Sequence, residues 1–254
     1  MGSWIYHLRV AEALSAHVLA EHALVFTCGN LAPDSGRPNA DWTAFIPPKE
    51  VTHFLRPQPL RPRIADLDYF RTYLQAVEPE TAEYAFLLGY FTHLLADNLW
   101  IVHIESSSRS EHKVLFAERG SAAWNVLKED WYDLDRLYLA EHPESVFWRM
   151  SVGLPELQPW LELLDRGAYL DQLGYICAYY TDGTVADARR SYPYLNRATM
   201  DRCVAESSRK IEHILAQLPD ASLDDEPSAL CLLTPDDLQP FHAPLGDVTG
   251  IGSA

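Results

Sequence analysis

His93 and Asp97 stand four residues apart in the run FTHLLADNLW. A four-residue step on an α-helix turns about 400°, which leaves the two side chains one turn apart and about 40° around the axis. An imidazole and a carboxylate so placed on an apolar helix can grip one metal ion, or hydrogen-bond to each other and staple two helices. The spacing alone is common and fits both. Its surroundings point to an ion. His103 follows Asp97 by six residues, about 120° away on a continuous helix, where it suits a second ion sharing Asp97. A carboxylate has two oxygens and can bridge two ions, whereas an imidazole normally binds one. Asp34 in GNLAPD and His53 in VTHF lie further up the chain, and His7 sits in the first turn of an amino-terminal helix. Loop ligands above a rigid HxxxD helix are the arrangement expected of a multinuclear nitrogen and oxygen metal site.

Helical elements must hold these residues. Apolar positions recur at three- and four-residue steps from Trp4 to about His22, predicting one amphipathic helix. Residues 29–63 carry seven of the 17 prolines and predict a long loop, too interrupted for a continuous helix or a central strand. A loop of that length inside a domain usually has a function. Helical periodicity returns over about 66–77. After Glu78-Pro79-Glu80 it runs through TAEYAFLLGYFTHLLADNLWIVH, the most apolar helix and so the predicted centre of the fold. Further amphipathic segments fall at about 118–140, 156–180 and 199–218. Strand alternation with hairpin turns is missing. The expected architecture is all-α: one multi-helix, bundle-like domain over residues 1–218 with a long Pro-rich loop. An acidic, Pro-containing tail over residues 219–254 is expected to be extended or partly disordered, with Leu230, Leu232 and Leu233 packing locally.

Composition narrows the function. The 254 residues are 48% hydrophobic, enough to bury a full core. Acidic side chains outnumber basic ones 36 to 20, for a formal charge of −16, so generic nucleic-acid or anionic-membrane binding is not expected. Seven of the acids lie in the tail, which has no Lys or Arg, and bound divalent cations would make a site locally positive despite the net charge. Apolar stretches are broken by His, Asp or Glu, so no membrane span is expected. The first 25 residues hold His7, Arg9, Glu12, His17, Glu21 and His22, unlike a secretion signal. Four scattered cysteines without a CxxC suit free thiols, and the expected location is cytoplasmic.

The order WIYHLRVA, GNLAPDSG, THF, then LLGYFTHLLADNLW ending in His103 resembles the zinc-dependent phospholipase C family, related to the fungal single-strand-specific zinc nucleases. The resemblance covers about residues 4–140. It implies an all-α domain holding two or three zinc ions, with one also possible, that activate water for phosphoester hydrolysis. Carried over, His7 is the amino-terminal helix ligand, Asp34 the loop carboxylate, His53 the loop imidazole, His93 and Asp97 the helix pair, and His103 a ligand to a further zinc. Asp34 or Asp97 would also orient water; on position alone, Arg56, three residues after His53, would neutralise the phosphate, with Lys49, Arg61 and Arg63 as neighbouring cations. The substrate would be a small phosphoester or a phospholipid-like molecule, met by aromatic residues such as Trp42, Phe45, Phe54 and Trp100.

Two departures stand out. Relatives begin at a processed Trp whose free amine and carbonyl bind zinc, whereas Trp4 follows Met1-Gly2-Ser3. Relatives also carry a second HxxxE or HxxxD after the position of His103, and here only KEDWYDLD offers Asp133 or Asp135. Two other functions therefore stay open: a metal-stabilised, non-catalytic binding or scaffold protein, and a zinc-dependent nuclease.

Overall fold

A computed structural model describes residues 1–41, 44–57, 62–158, 160–182, 189–218, 230–241 and 244–247. Helix α1 (Trp4–Leu14) opens on Ser3, whose hydroxyl accepts from the Tyr6 amide. It stops at Leu14 instead of reaching His22. Ser15 Oγ donates to the Glu12 carbonyl at 2.8 Å, and 3₁₀ turns carry the chain through residues 15–22. Helix α2 (Ala23–Leu31) runs into a 3₁₀ turn, Ala32–Asp34, so the predicted loop begins inside a helix. That segment also contains an antiparallel pair, β1 (Arg37–Pro38) with β2 (Phe45–Ile46), and a one-turn helix α3 (Lys49–Thr52).

Helix α4 (Asp66–Tyr69) continues as a π-turn over Phe70–Leu74. Helix α5 (Ala82–Trp100) starts at Thr81, whose hydroxyl accepts from Tyr84 N, and is buried from Ala85 to Ile101. A second π-turn, Ile101–Glu105, joins it to α6 (Ser106–Glu111). Helices α7 (Lys113–Arg119), α8 (Ala123–Glu141), α9 (Val146–Val152), α10 (Arg166–Thr181) and α11 (Arg197–Gln217) complete the all-α architecture. By length and composition Ala82–Glu111 could cross a membrane, yet 94% of its apolar window is buried inside the protein, as expected of a central core helix.

Helices α2 and α5 pack through glycine. A Cβ on Gly29 would stand 2.0 Å from the Phe86 carbonyl oxygen, and one on Gly89 would stand 2.1 Å from that of Phe26. Only hydrogen side chains permit this approach of two helix backbones. It brings Asn30 within reach of α5, where its amide donates to the Gly89 carbonyl at 3.3 Å and to Thr92 Oγ1 at 3.0 Å.

The described part of the tail is folded onto the helices. Leu67 N donates to the Leu230 carbonyl, and Leu232 N to the buried Asp66, which also accepts from Asn98. Leu233 and Leu245 are buried, and Phe241 stacks on His103. Backbone anchoring by a buried carboxylate orders the segment despite its acidic composition.

Candidate metal centre

Five of the six predicted ligands converge. His7 comes from α1, Asp34 from the turn after α2, His53 from the end of α3, and His93 and Asp97 from the middle of α5. All are buried, and Asp34 is the most exposed at 9%. Two overlapping groups could hold a metal ion: His7, His93 and Asp97, and Asp34, His53 and His93. His93 is common to both, and Asp97 lies against members of each. Its Oδ1 lies 3.2 Å from His7 Nε2, and its Oδ2 lies 3.4 Å from His93 Nε2 and 3.7 Å from His53 Nε2. His53 Nε2 is 3.3 Å from His93 Nε2 and 3.4 Å from Asp34 Oδ1.

Surrounding contacts aim these atoms. His93 Nδ1 is 2.7 Å from the Asn30 carbonyl, which fixes the proton on Nδ1 and leaves Nε2 with a free lone pair. The glycine contact between α2 and α5 is what delivers that carbonyl. His53 Nδ1 lies 2.9 Å from Thr52 Oγ1, and Tyr90 of α5 hydrogen-bonds the Thr52 carbonyl, anchoring α3 to the core. The next residue, Phe54, takes φ of +51°, a left-handed conformation costing about 1–3 kcal/mol for a bulky side chain, and its ring packs on Tyr69 and Tyr73. The His7 ring stacks on His93 with centroids 3.8 Å apart.

The electrostatics favour ligation. Burial, then the neighbouring His93, lowers His7 to about 4, and burial also lowers His53. Burial alone would raise Asp34, but Lys49 and His53 outweigh it and hold the carboxyl well below the usual range. Burial is likewise overcome at Asp97 by His93, the amino terminus and His7. Neutral imidazoles and ionised carboxylates are the forms that bind metal. Asp97 Oδ2 and His7 Nδ1 are buried without a hydrogen bond among the described residues, an arrangement a cation at the centre would relieve for Asp97.

The structure places the other candidates elsewhere. The π-turn at 101–105 breaks the continuous-helix geometry assumed for His103. Its ring stacks on Phe241 at 4.4 Å, Nδ1 accepts from Phe241 N, and burial lowers it to about 4; it belongs to neither group. Arg56 directs its guanidinium to the Pro62 carbonyl and is absent from the lining of the cleft that reaches Asp34. That lining includes Phe45, Lys49 and Arg63, and also Lys128, which the sequence reading missed. Trp100 is buried in the core, Phe54 packs on tyrosines, and Trp42 and Arg61 lie outside the described residues. Asp133 pairs with Arg190 and Arg136.

Asp135 accepts from Ser3 Oγ at 2.8 Å and Tyr180 Oη at 2.6 Å, so it positions the amino terminus instead of joining either group. Next to Ser3, Gly2 N donates to Asp97 Oδ1 at 2.8 Å, and the Met1 amine pairs with Glu105. Burial raises Asp135 to about 7. With a folded pKa above the unfolded one, its stabilisation is complete below about pH 4 and is lost as pH rises toward 7. Asp135→Asn is expected to remove that dependence, changing the slope of unfolding free energy against pH by up to about 1.4 kcal/mol per pH unit in this window. Urea titrations from pH 4 to 8 measure it, and an unchanged slope contradicts the assignment.

The chain matches no protein-family model, no curated protein and no solved structure.

Proposed function

We propose that this chain is a zinc-dependent phosphoester hydrolase of the phospholipase C-like kind. The observation that carries the reading is the convergence of two carboxylates and three imidazoles beside a cleft of about 720 Å³ that reaches Asp34. Imidazole donors disfavour magnesium and calcium. Zinc bonds of about 2.0–2.1 Å imply tetrahedral ligand–ligand edges of about 3.3 Å. The separations of 3.3 and 3.4 Å for His53–His93 and His53–Asp34 suit an ion in one group, and those of 3.4 and 3.2 Å for His93–Asp97 and His7–Asp97 suit an ion in the other. His93 offers one free nitrogen, so Asp97 is the residue able to serve a second ion beside His7.

Zinc supplies Lewis acidity, bringing the pKa of water toward neutrality and neutralising phosphate charge. The remaining work belongs to the chain. Asp97 is fully buried and holds the ligand frame together. Asp34 lines the cleft and, ionised at neutral pH, accepts a hydrogen bond from water and orients it toward phosphorus. Water oxygen then bonds to phosphorus, the ester P–O bond breaks, and the proton that the water gives up is taken by the departing alcohol oxygen. Phosphoester hydrolysis is also what the sequence resemblance implies.

Protein donors filling every position around an ion would equally make a structural site. Zinc content measured alongside turnover of bis-p-nitrophenyl phosphate separates the two readings. At least two zinc ions per chain, with turnover abolished by chelator and restored by zinc, is the expected result. One tightly held zinc without turnover makes the protein a metal-stabilised scaffold.

A further inference from the structure

The cleft above Asp34 carries positive charge that metal ligation does not explain. Lys49 of α3 and Lys128 of α8 both line it. Lys49 Nζ lies 3.4 Å from Asp34 Oδ1, whereas Lys128 makes no hydrogen bond or ion pair among the described residues. The two ammonium groups are within electrostatic reach of each other; burial first, then Lys49, lowers Lys128 below the ordinary lysine value. The other carboxylate in the lining, Glu105, is taken by the Met1 amine. Asp34 offsets part of the cost of burying Lys128 but is itself paired with Lys49, so a partly buried lysine beside a like charge favours a ligand that brings further negative charge. Gln172 also lines the cleft, 6% exposed, with no side-chain hydrogen bond among the described residues. The walls include Trp124, Trp131, Tyr132 and Tyr179.

A phosphodiester brings one negative charge, and a phosphomonoester brings nearly two at neutral pH. We propose that Lys128, with Lys49, forms a subsite for the phosphate dianion of a monoester whose leaving group is planar or apolar and lies along the aromatic wall. The same two cations oppose a quaternary-ammonium leaving group. Turnover of such a substrate rests on the hydrolase reading above, but phosphate binding does not.

The test is calorimetric titration of inorganic phosphate into the full chain, as isolated and after chelation, paired with turnover of p-nitrophenyl phosphate and bis-p-nitrophenyl phosphate. Lys128→Gln is expected to weaken phosphate binding about tenfold or more in both metal states with zinc content unchanged. It should lower kcat/KM for the monoester about tenfold relative to the diester, and Lys128→Arg should restore most of both. Lys128→Met, which keeps the packing of the stem, serves if the glutamine variant does not fold. Phosphate affinity equal to wild type, or an equal loss on both esters, overturns the proposal. A chain that binds no metal and cleaves neither ester, yet loses phosphate affinity on Lys128→Gln, sinks the hydrolase reading and leaves the subsite standing.

Discussion

Asp97→Ala is expected to release bound metal and to lower phosphoester turnover at least about a hundredfold. Among the described residues, Asp97 is the carboxylate whose two oxygens face different imidazoles, His7 on one side and His93 with His53 on the other. Its removal therefore weakens both groups at once. In the wild type, a chelator should lower Tm by about 5 °C or more, because an ion present at a hundred times its Kd adds about 2.7 kcal/mol. In Asp97→Ala the chelator should leave Tm unmoved. Thermal unfolding with and without chelator, run beside metal analysis, checks both halves. Full zinc occupancy and unchanged turnover in the variant would remove Asp97 from the centre.

Gly89→Ala is expected to act from behind the site with a comparable loss. The added methyl would meet the Phe26 carbonyl oxygen at 2.1 Å and Asn30 N at 2.8 Å, backbone atoms of a buried helix with nowhere to go. Overpacking of this kind costs about 3 kcal/mol, or about 6–12 °C in Tm for a chain of this size. Forcing α2 from α5 also moves the Asn30 carbonyl that fixes His93. Metal affinity should then fall by about 10- to 100-fold in the variant that still folds, the usual cost of disturbing a ligand's orienting partner. Wild-type Tm and zinc affinity in Gly89→Ala would mean that the helix contact is looser than these distances say.

These two residues mark what the sequence could and could not reveal. Asp97 was legible because His93 and Asp97 share one helix, where spacing alone fixes relative position. Asp34 and His53 were legible only as parts of a motif order, since nothing in a Pro-rich segment says where its residues return to the core. Gly89 left a faint signal, a glycine within an otherwise apolar helix, which calls for a packing reason. Asn30, Thr52 and Lys128 left none, because each acts across elements brought together by folding. Continuous-helix spacing does not place His103, because the π-turn at 101–105 re-aims every residue after Trp100. Arg56 was favoured by proximity to His53 in sequence, but its guanidinium turns back to its own loop at the Pro62 carbonyl. The described part of the tail is held by Asp66 and His103, contacts that acidity and proline content do not encode.

The most direct measurement is an anomalous-scattering map of the zinc-loaded protein across the zinc edge. The expected result is one peak within about 2.0–2.2 Å of Asp34, His53 Nε2 and His93 Nε2, and a second beside His7 and Asp97. No peak among those residues, or zinc bound only at sites remote from them, would contradict the metal centre.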